Sequence, residues 1–510
     1  MKKSLIALSV AATLGGVAGT ASAQTTADRL VFNSSGVGHI LIVPYFSTQS
    51  GNATLLNIVN TDTVNGKAVK VRFRGASNSD DVFDFQLFLS PGDVWAANVS
   101  KGANGLSKLD HSDNSCTLPA NIKREFITSR LNTVDLSGDA LANETREGYV
   151  EILTMGDIPS VSGTTSLWFA TKHNAAGVAP CTASILESLS IADTRLNNPT
   201  TGLFANWTII NVPQTTTWTG EATAIEARTS TGAAGKGNNV YWPQTADPLT
   251  YSQIIANSAD ALFQAGDIIN AAYYDLPDLS TPYVISAISV CPFCQANELS
   301  DALAARQIAG EFLSTPGLSA STDWVVSMPT RRYYAAVDYS ATTPADKLVT
   351  NYNDNVVLNP DAIRAIYYRN DNTEMGSASN GGKSYQICVK ANAVRFWSRE
   401  ELSPLDSGIV ISPGTPTAPP SLCGEISVLG VNSPTSPLGA SVARQNATVS
   451  FATEGWGLLT VNNLFNGQNL GLPMMVTQFS KATNPAAAPG VSGTFGAAWS
   501  GRVVTRGARF

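Results

Sequence analysis

Charge is what this 510-residue chain has least of: Asp, Glu, Lys and Arg make up 14% of it, against about 25% in an average soluble protein. Histidine is scarcer still, at three residues, and cysteine and methionine number six each. The 32 basic and 39 acidic residues leave a net charge of -7, and no cluster of Lys and Arg interrupts it. That balance argues against nucleic-acid binding, because neutralising phosphates needs a basic face. Beyond the first 23 residues no uninterrupted apolar run approaches 18, so no transmembrane helix is expected in the mature chain. His-Glu-x-x-His, Gly-x-Ser-x-Gly, a phosphate loop and Gly-x-Gly-x-x-Gly after a strand are all missing. No catalytic, cofactor-binding or metal-ligating residue is therefore assigned.

Neutral polar residues stand where the charges would be: 48 Thr, 50 Ser and 37 Asn, together 26% of the chain. With 43% hydrophobic residues the chain has material for an ample core. Its length suggests two or three domain-sized units.

Residues 1–23 read as a bacterial-type signal peptide. Met1-Lys2-Lys3 opens the chain, an apolar run extends from Leu5 to about Val17, and Ala21-Ser22-Ala23 offers a small-x-small site for cleavage between Ala23 and Gln24. The mature chain of 487 residues, with a net charge of -9, is then expected to be exported across the inner membrane of a Gram-negative bacterium. An even set of cysteines suits that oxidising destination. Sequence order pairs Cys116 with Cys181, Cys291 with Cys294, and Cys388 with Cys423. The last bridge would staple the Pro-rich stretch Ser403 to Pro420.

The fold expected is mainly β, built of antiparallel, Ig-like β-sandwich units with one helical insertion. Residues 24–246 read as a β-rich sandwich region, with strands at Ile40–Phe46, Thr54–Val59, Ala68–Arg74, Val82–Leu89, Val94–Val99, Gly148–Met155, Ser166–Thr171 and Trp207–Val212. In Lys67 to Arg74 the alternation of Val69, Val71 and Phe73 with Lys70, Arg72 and Arg74 predicts one apolar and one solvated face. Residues 247–316 read as the helical insertion containing the Cys-x-x-Cys, with helices over Ser252–Ala272 and Asn297–Phe312. Residues 317–510 return to strands, among them Trp324–Met328, Arg332–Asp338, Ile363–Tyr368, Ala393–Trp397, Glu425–Leu429, Thr448–Phe451 and Met474–Phe479, around the stapled loop.

Three features invite chemistry and each has a plainer account. Cys291-Pro292-Phe293-Cys294, between a strand and a helix, is how a redox dithiol is mounted, yet a clamp on a turn explains the same residues. Asp and Asn gather at Asn351–Asn355, Asn370–Asn372 and Asp110–Asp113, and hard oxygen donors suit Ca2+; polar turns account for them more simply. His39, His111 and His173 lack a local catalytic signature and read as structural, and the pairs Glu400-Glu401 and Asp80-Asp81 read as solvated loop charge. Counting back from Phe510 places Arg506 and Arg502 on the face a barrel strand would turn to lipid, which argues against an outer-membrane barrel.

Several blocks in order resemble a known family: Val43-Pro44-Tyr45-Phe46, Leu56 to Thr61, Val69 to Arg74, Asp84 to Trp95, Leu276 to Tyr283, Asp323 to Arg332 and Cys423-Gly424-Glu425. The chain resembles the exported proteobacterial proteins described as cell-surface or surface-layer-type. The resemblance implies a secreted, cell-surface location and transfers no catalytic residue. The expectation is a non-enzymatic structural protein that packs with copies of itself or with other cell-envelope components. An exported thiol-disulfide protein using Cys291 and Cys294, and a surface carbohydrate- or peptide-binding module, are the alternatives. Trp95 and Trp324 are expected inside the core.

Overall fold

The computed structural model describes residues 27–190, 193–237, 294–337, 339, 341–349, 366–369, 371–403, 420–433 and 435–509. The fold is mainly β, with several antiparallel sheets. The largest sheet has seven strands, in the order Arg29–Phe32, Thr223–Arg228, Ile40–Ser47, Glu147–Ile158, Gly66–Gly75, Asp81–Leu89 and Cys116–Leu118. A second sheet orders Thr216–Glu221, Leu203–Asn211, Asn52–Asn60, Val94–Lys101 and Ser107–Asp110. The third sheet orders Ala393–Ser398, Glu454–Thr460, Ala304–Leu313 and Leu472–Pro473, and Arg502–Arg506 also pairs with Ala304–Leu313. The fourth orders Arg444–Ala447, Ile426–Val431, Ser321–Ser327, Met475–Ala488 and Val491–Ser500. Its pairing of Ile426–Val431 with Arg444–Ala447 is parallel.

Aromatic side chains join the layers. Trp95 of the second sheet lies 5.3 Å, ring to ring, from Phe85 of the first, and Trp324 of the fourth lies 5.9 Å from Phe396 of the third. Both tryptophans are fully buried, as the sequence predicts. Gly310 and Gly457 make room for the indole of Trp324, since a Cβ at either would come within about 3 Å of it. Phe479 of the fourth sheet reaches Tyr45 of the first at 5.8 Å and Trp207 of the second at 5.6 Å, so one ring joins the N-terminal sheets to the C-terminal ones.

Gly66–Gly75 corrects the expectation of a half-solvated strand, because it is buried on both faces. Its basic face is neutralised and then covered. Arg74 Nε pairs with Glu151 at 2.7 Å, Arg72 Nε with Asp81 at 3.3 Å, and Lys70 Nζ with Asp84 at 3.2 Å. The C-terminal half closes over this layer: Arg331 pairs with Glu425 at 3.2 Å, Tyr149 Oη donates to the Pro329 carbonyl, and Glu425 and Ile426 N–H groups donate to the Ala76 carbonyl. Asp80 and Asp81, expected in solvent, are also buried here, where Tyr339 Oη donates to Asp80 at 2.6 Å. Period two separates two chemistries along a strand, and a second layer can bury the polar one where every charge finds a partner.

Other expectations fail locally. Ser166–Thr171 is not a strand: Ser166 Oγ accepts from the Phe169 N–H and caps the short helix Leu167–Thr171. Asn297–Phe312 is half helix and half strand. The helix Cys294–Leu303 ends where Ala304–Leu313 begins, and that strand pairs with Glu454–Thr460 and Arg502–Arg506. Ladder partners on both sides override the Ala-rich helix propensity. Thr448–Phe451 is not a strand but irregular chain ending in a turn, and the strand lies one step earlier at Arg444–Ala447. In place of the expected strand Arg332–Asp338 stand a 3-10 turn, Arg331–Tyr333, and the two-residue strand Ala336–Val337, while Asp338 lies outside the described residues. Residues 366–368 of the expected strand Ile363–Tyr368 are not in one. The signal region, Ser252–Ala272 and Phe510 lie outside the described residues.

Candidate functional site

Two of the three expected disulfides form. Cys116 bonds Cys181, and Cys388, which lies opposite Cys423 in the ladder, bonds Cys423. Cys291 lies outside the described residues, so the Cys291–Cys294 pair does too; Cys294 itself opens the helix Cys294–Leu303.

The histidines occupy three unlike environments. His39 is fully buried between two backbone partners: its Nδ1 accepts the Ala227 N–H at 3.1 Å, and its Nε2 lies 3.1 Å from the Pro199 carbonyl, to which it donates. Burial, reinforced by nearby Lys67, pulls its pKa down to about 3, which keeps the ring neutral. His111 is half-buried and burial lowers its pKa as well. His173 sits with a serine and an aspartate, a grouping the sequence did not disclose because it joins residues 90, 93 and 173. Its Nδ1 is 3.0 Å from Ser90 Oγ and 3.3 Å from Asp93 Oδ2, and Ser90 Oγ donates to that same carboxylate at 3.2 Å. A nucleophilic relay needs the aspartate on one ring nitrogen and the serine on the other. Here both converge on Nδ1, and Asp93 also accepts the Ser90 N–H. The geometry is that of a turn clamp.

The calcium clusters find other partners. Asp371 is held by Arg369 at 2.8 Å and Asp110 lies 3.8 Å from Lys123; residues 351–355 and Asn370 lie outside the described residues. Among the described residues no three of His, Cys, Asp and Glu converge as a cation site, and no helix is long and apolar enough to cross a membrane. Glu400 and Glu401 are exposed, as expected.

Buried acids lie elsewhere too, and one of them, Glu147, ties the two halves together. Glu147 accepts from Tyr45 Oη at 2.6 Å and from the Ser441 N–H at 2.8 Å, and burial raises its pKa despite these bonds. Asp323, bonded to Ser436 Oγ and 3.2 Å from Arg444, is pushed up to about 6 by burial.

The outer surface carries the clearest exception to ordinary packing. Val491–Ser500 ends the fourth sheet, pairing with Met475–Ala488 on one side and, among the described strands, with none on the other, although Thr216–Glu221 of the second sheet packs against its Gly496, where a Cβ would lie 2.4 Å from the Thr217 carbonyl oxygen. Residues 482–501 contain no charged residue. Val491, Phe495 and Trp499, four apart and so on one face of the strand, are 55%, 66% and 46% exposed. Sequence reading overlooked this hairpin because Gly, Ala, Ser and Thr dilute its alternation. The absence of Lys, Arg, Asp and Glu over 20 residues was the signal available.

Comparison with protein-family models, curated proteins and solved structures found no match.

Proposed function

We propose that this is a secreted, non-enzymatic structural protein of the cell surface whose copies associate laterally through the edge strand Val491–Ser500. The reading takes the signal-like opening as an export address and the paired sheets as sandwich-like layers serving as a rigid body.

One observation carries it. Soluble proteins protect long edge strands with charge, Pro or bulges, because an open edge templates pairing with another chain. This edge keeps its apolar residues and has no charge to deter pairing. A second copy is the favoured occupant because two identical edges pair antiparallel about a two-fold axis. A neutral strand meets its own copy without like charges opposed. The low overall charge points the same way.

Sedimentation velocity of the secreted chain tests this. Wild type is expected to associate reversibly with rising concentration, and Phe495→Lys with Val491→Lys to sediment as a monomer with unchanged circular dichroism. A wild-type monomer at all concentrations, or an unaffected double variant, refutes the reading.

A further inference from the structure

The outer face of the third sheet holds a second exposed aromatic feature, unrelated to the hairpin edge. Trp397 and Trp456 face each other across neighbouring strands in direct register. Their rings are stacked 4.2 Å apart with planes 11° from parallel, and Trp456 is 41% exposed. Their strands bury the other face, where Phe396 and Gly457 pack around Trp324. Core packing therefore explains neither indole.

Two residues beyond the indoles stand Glu454, which opens its strand, and Arg399, in the turn that follows Ala393–Ser398, paired at 3.1 Å. That step is about 7 Å. The pair forms one wall of a solvent-accessible hollow of about 520 Å³, lined further by Ser398, Asn432, Ser450 and Thr453, a size typical of small-ligand sites. Its walls are held before any ligand arrives. Asn432 Nδ2 donates to Ser314 Oγ and to the Val449 and Ala452 carbonyls, and Ser398 Oγ accepts from the Glu400 and Leu402 N–H groups. Such fixed walls lower the ordering cost of binding.

The chemistry selects the ligand class. An indole face is apolar with negative π density, and the slightly positive C–H face of a pyranose packs on it. A guanidinium beside a carboxylate offers a donor and an acceptor at the spacing of vicinal hydroxyls. Glu400 and Glu454 beside Arg399 leave the hollow's charged residues on balance acidic, which disfavours phosphate or any polyanion. We propose that the Trp397–Trp456 stack and the hollow at Arg399–Glu454 form one binding site for a neutral oligosaccharide of at least two sugar units. The inner faces of the stacked indoles cover each other, so one unit packs on an outer face of the stack and the next enters the hollow. The site is independent of self-association and survives its failure.

Tryptophan fluorescence and calorimetric titrations with cellohexaose, chitohexaose and laminarihexaose test the proposal on the full secreted chain. At least one sugar is expected to bind saturably and shift the emission. Trp456→Ala is expected to weaken that binding about tenfold or more, Glu454→Gln to weaken it similarly, and Trp456→Tyr to restore most of it. Glu454→Gln and Trp456→Tyr keep the test decisive should Trp456→Ala fail to fold. Failure of all three sugars to bind overturns the proposal, as does binding indifferent to Trp456 and Glu454. Saturable binding of a synthetic peptide of residues 403–420 at the stack, with no sugar bound, overturns it in favour of a peptide groove.

Discussion

Acid should destabilise this protein through one histidine. The folded chain holds His39 in a single tautomer, with Nε2–H donating to Pro199 and Nδ1 accepting from Ala227. A second proton on Nδ1 would point at the Ala227 N–H and lose that bond, in a site that already contains the positive charge of Lys67 nearby. Burial first, and then Lys67, bring the ordinary pKa of 6.5 down to about 3 in the folded state. Unfolded chains take up the proton below pH 6.5 and folded chains do not, so this contribution to stability is complete above pH 6.5 and is lost as pH falls toward 3. Each pH unit below 6.5 removes about 1.4 kcal/mol, giving about 2.7 kcal/mol at pH 4.5 and at most about 4.8 kcal/mol. Asp323 acts in the opposite sense, since a folded-state pKa of about 6 lets the folded chain take up a proton first and gain stability as pH falls. Comparing wild type with His39→Asn removes Asp323 from the result, because both chains carry it. Urea unfolding at pH 7, 6, 5 and 4.5 should show the stability difference between wild type and variant narrowing by about 2–3 kcal/mol over that range. A difference that stays constant refutes the assignment of a neutral, two-bonded His39.

Three further outcomes are expected. Replacing Cys388 and Cys423 by Ser opens a loop spanning a sequence separation of 35 and should lower stability by about 4 kcal/mol in the chain-entropy model, read from the urea midpoint. Trp324→Ala removes a fully buried indole whose Nε1 donates to the Glu311 carbonyl, and should cost about 3–5 kcal/mol by thermal or urea unfolding. Arg331→Ala removes from buried Glu425 its partner at 3.2 Å, with Arg332 and Arg74 remaining near it, and should cost at most about 3–5 kcal/mol, while Arg331→Met combined with Glu425→Leu should cost clearly less in the same assay.

How far the sequence disclosed these features depended on how local each signal was. Ile40–Ser47, Asp81–Leu89 and Val94–Lys101 were legible because β-branched and aromatic residues run between turn formers. The pairing of Cys116 with Cys181 was legible from chain order in an even set. Ala304–Leu313 was not legible, because its Ala-rich text is helix-forming and only its three ladder partners, more than 100 residues away, make it a strand. The turn clamp at His173 and the Trp397–Trp456 stack share that opacity: each depends on a register between distant segments. The two strands Thr216–Glu221 and Thr223–Arg228 were passed over because Thr and Gly weaken the hydrophobic period, although Trp218 is fully buried and its Nε1 donates to the Ser480 carbonyl.

The burial of Lys67 to Arg74 on both faces of its strand carries the most physics. A chain with only 14% charged residues places Lys67, Lys70, Arg72, Arg74, Arg331, Glu151 and Glu425 in its interior. Apolar surfaces would hold the two halves together in many orientations, whereas a buried charge tolerates only the arrangement that supplies its partner. Charge here therefore helps fix how the C-terminal half docks on the N-terminal one, through Lys383 with Glu144 at 2.9 Å, Lys347 with Asp135 at 2.7 Å, and Arg331 donating to the Ser77 carbonyl at 3.4 Å. Removing charge to the interior also leaves the exterior to Thr, Ser and Asn, and to neutral features such as the edge at Val491–Ser500. Scarce surface charge and buried ion pairs are then two consequences of one distribution: ionic contacts set the internal geometry, and contacts with other molecules fall to aromatic and uncharged polar groups.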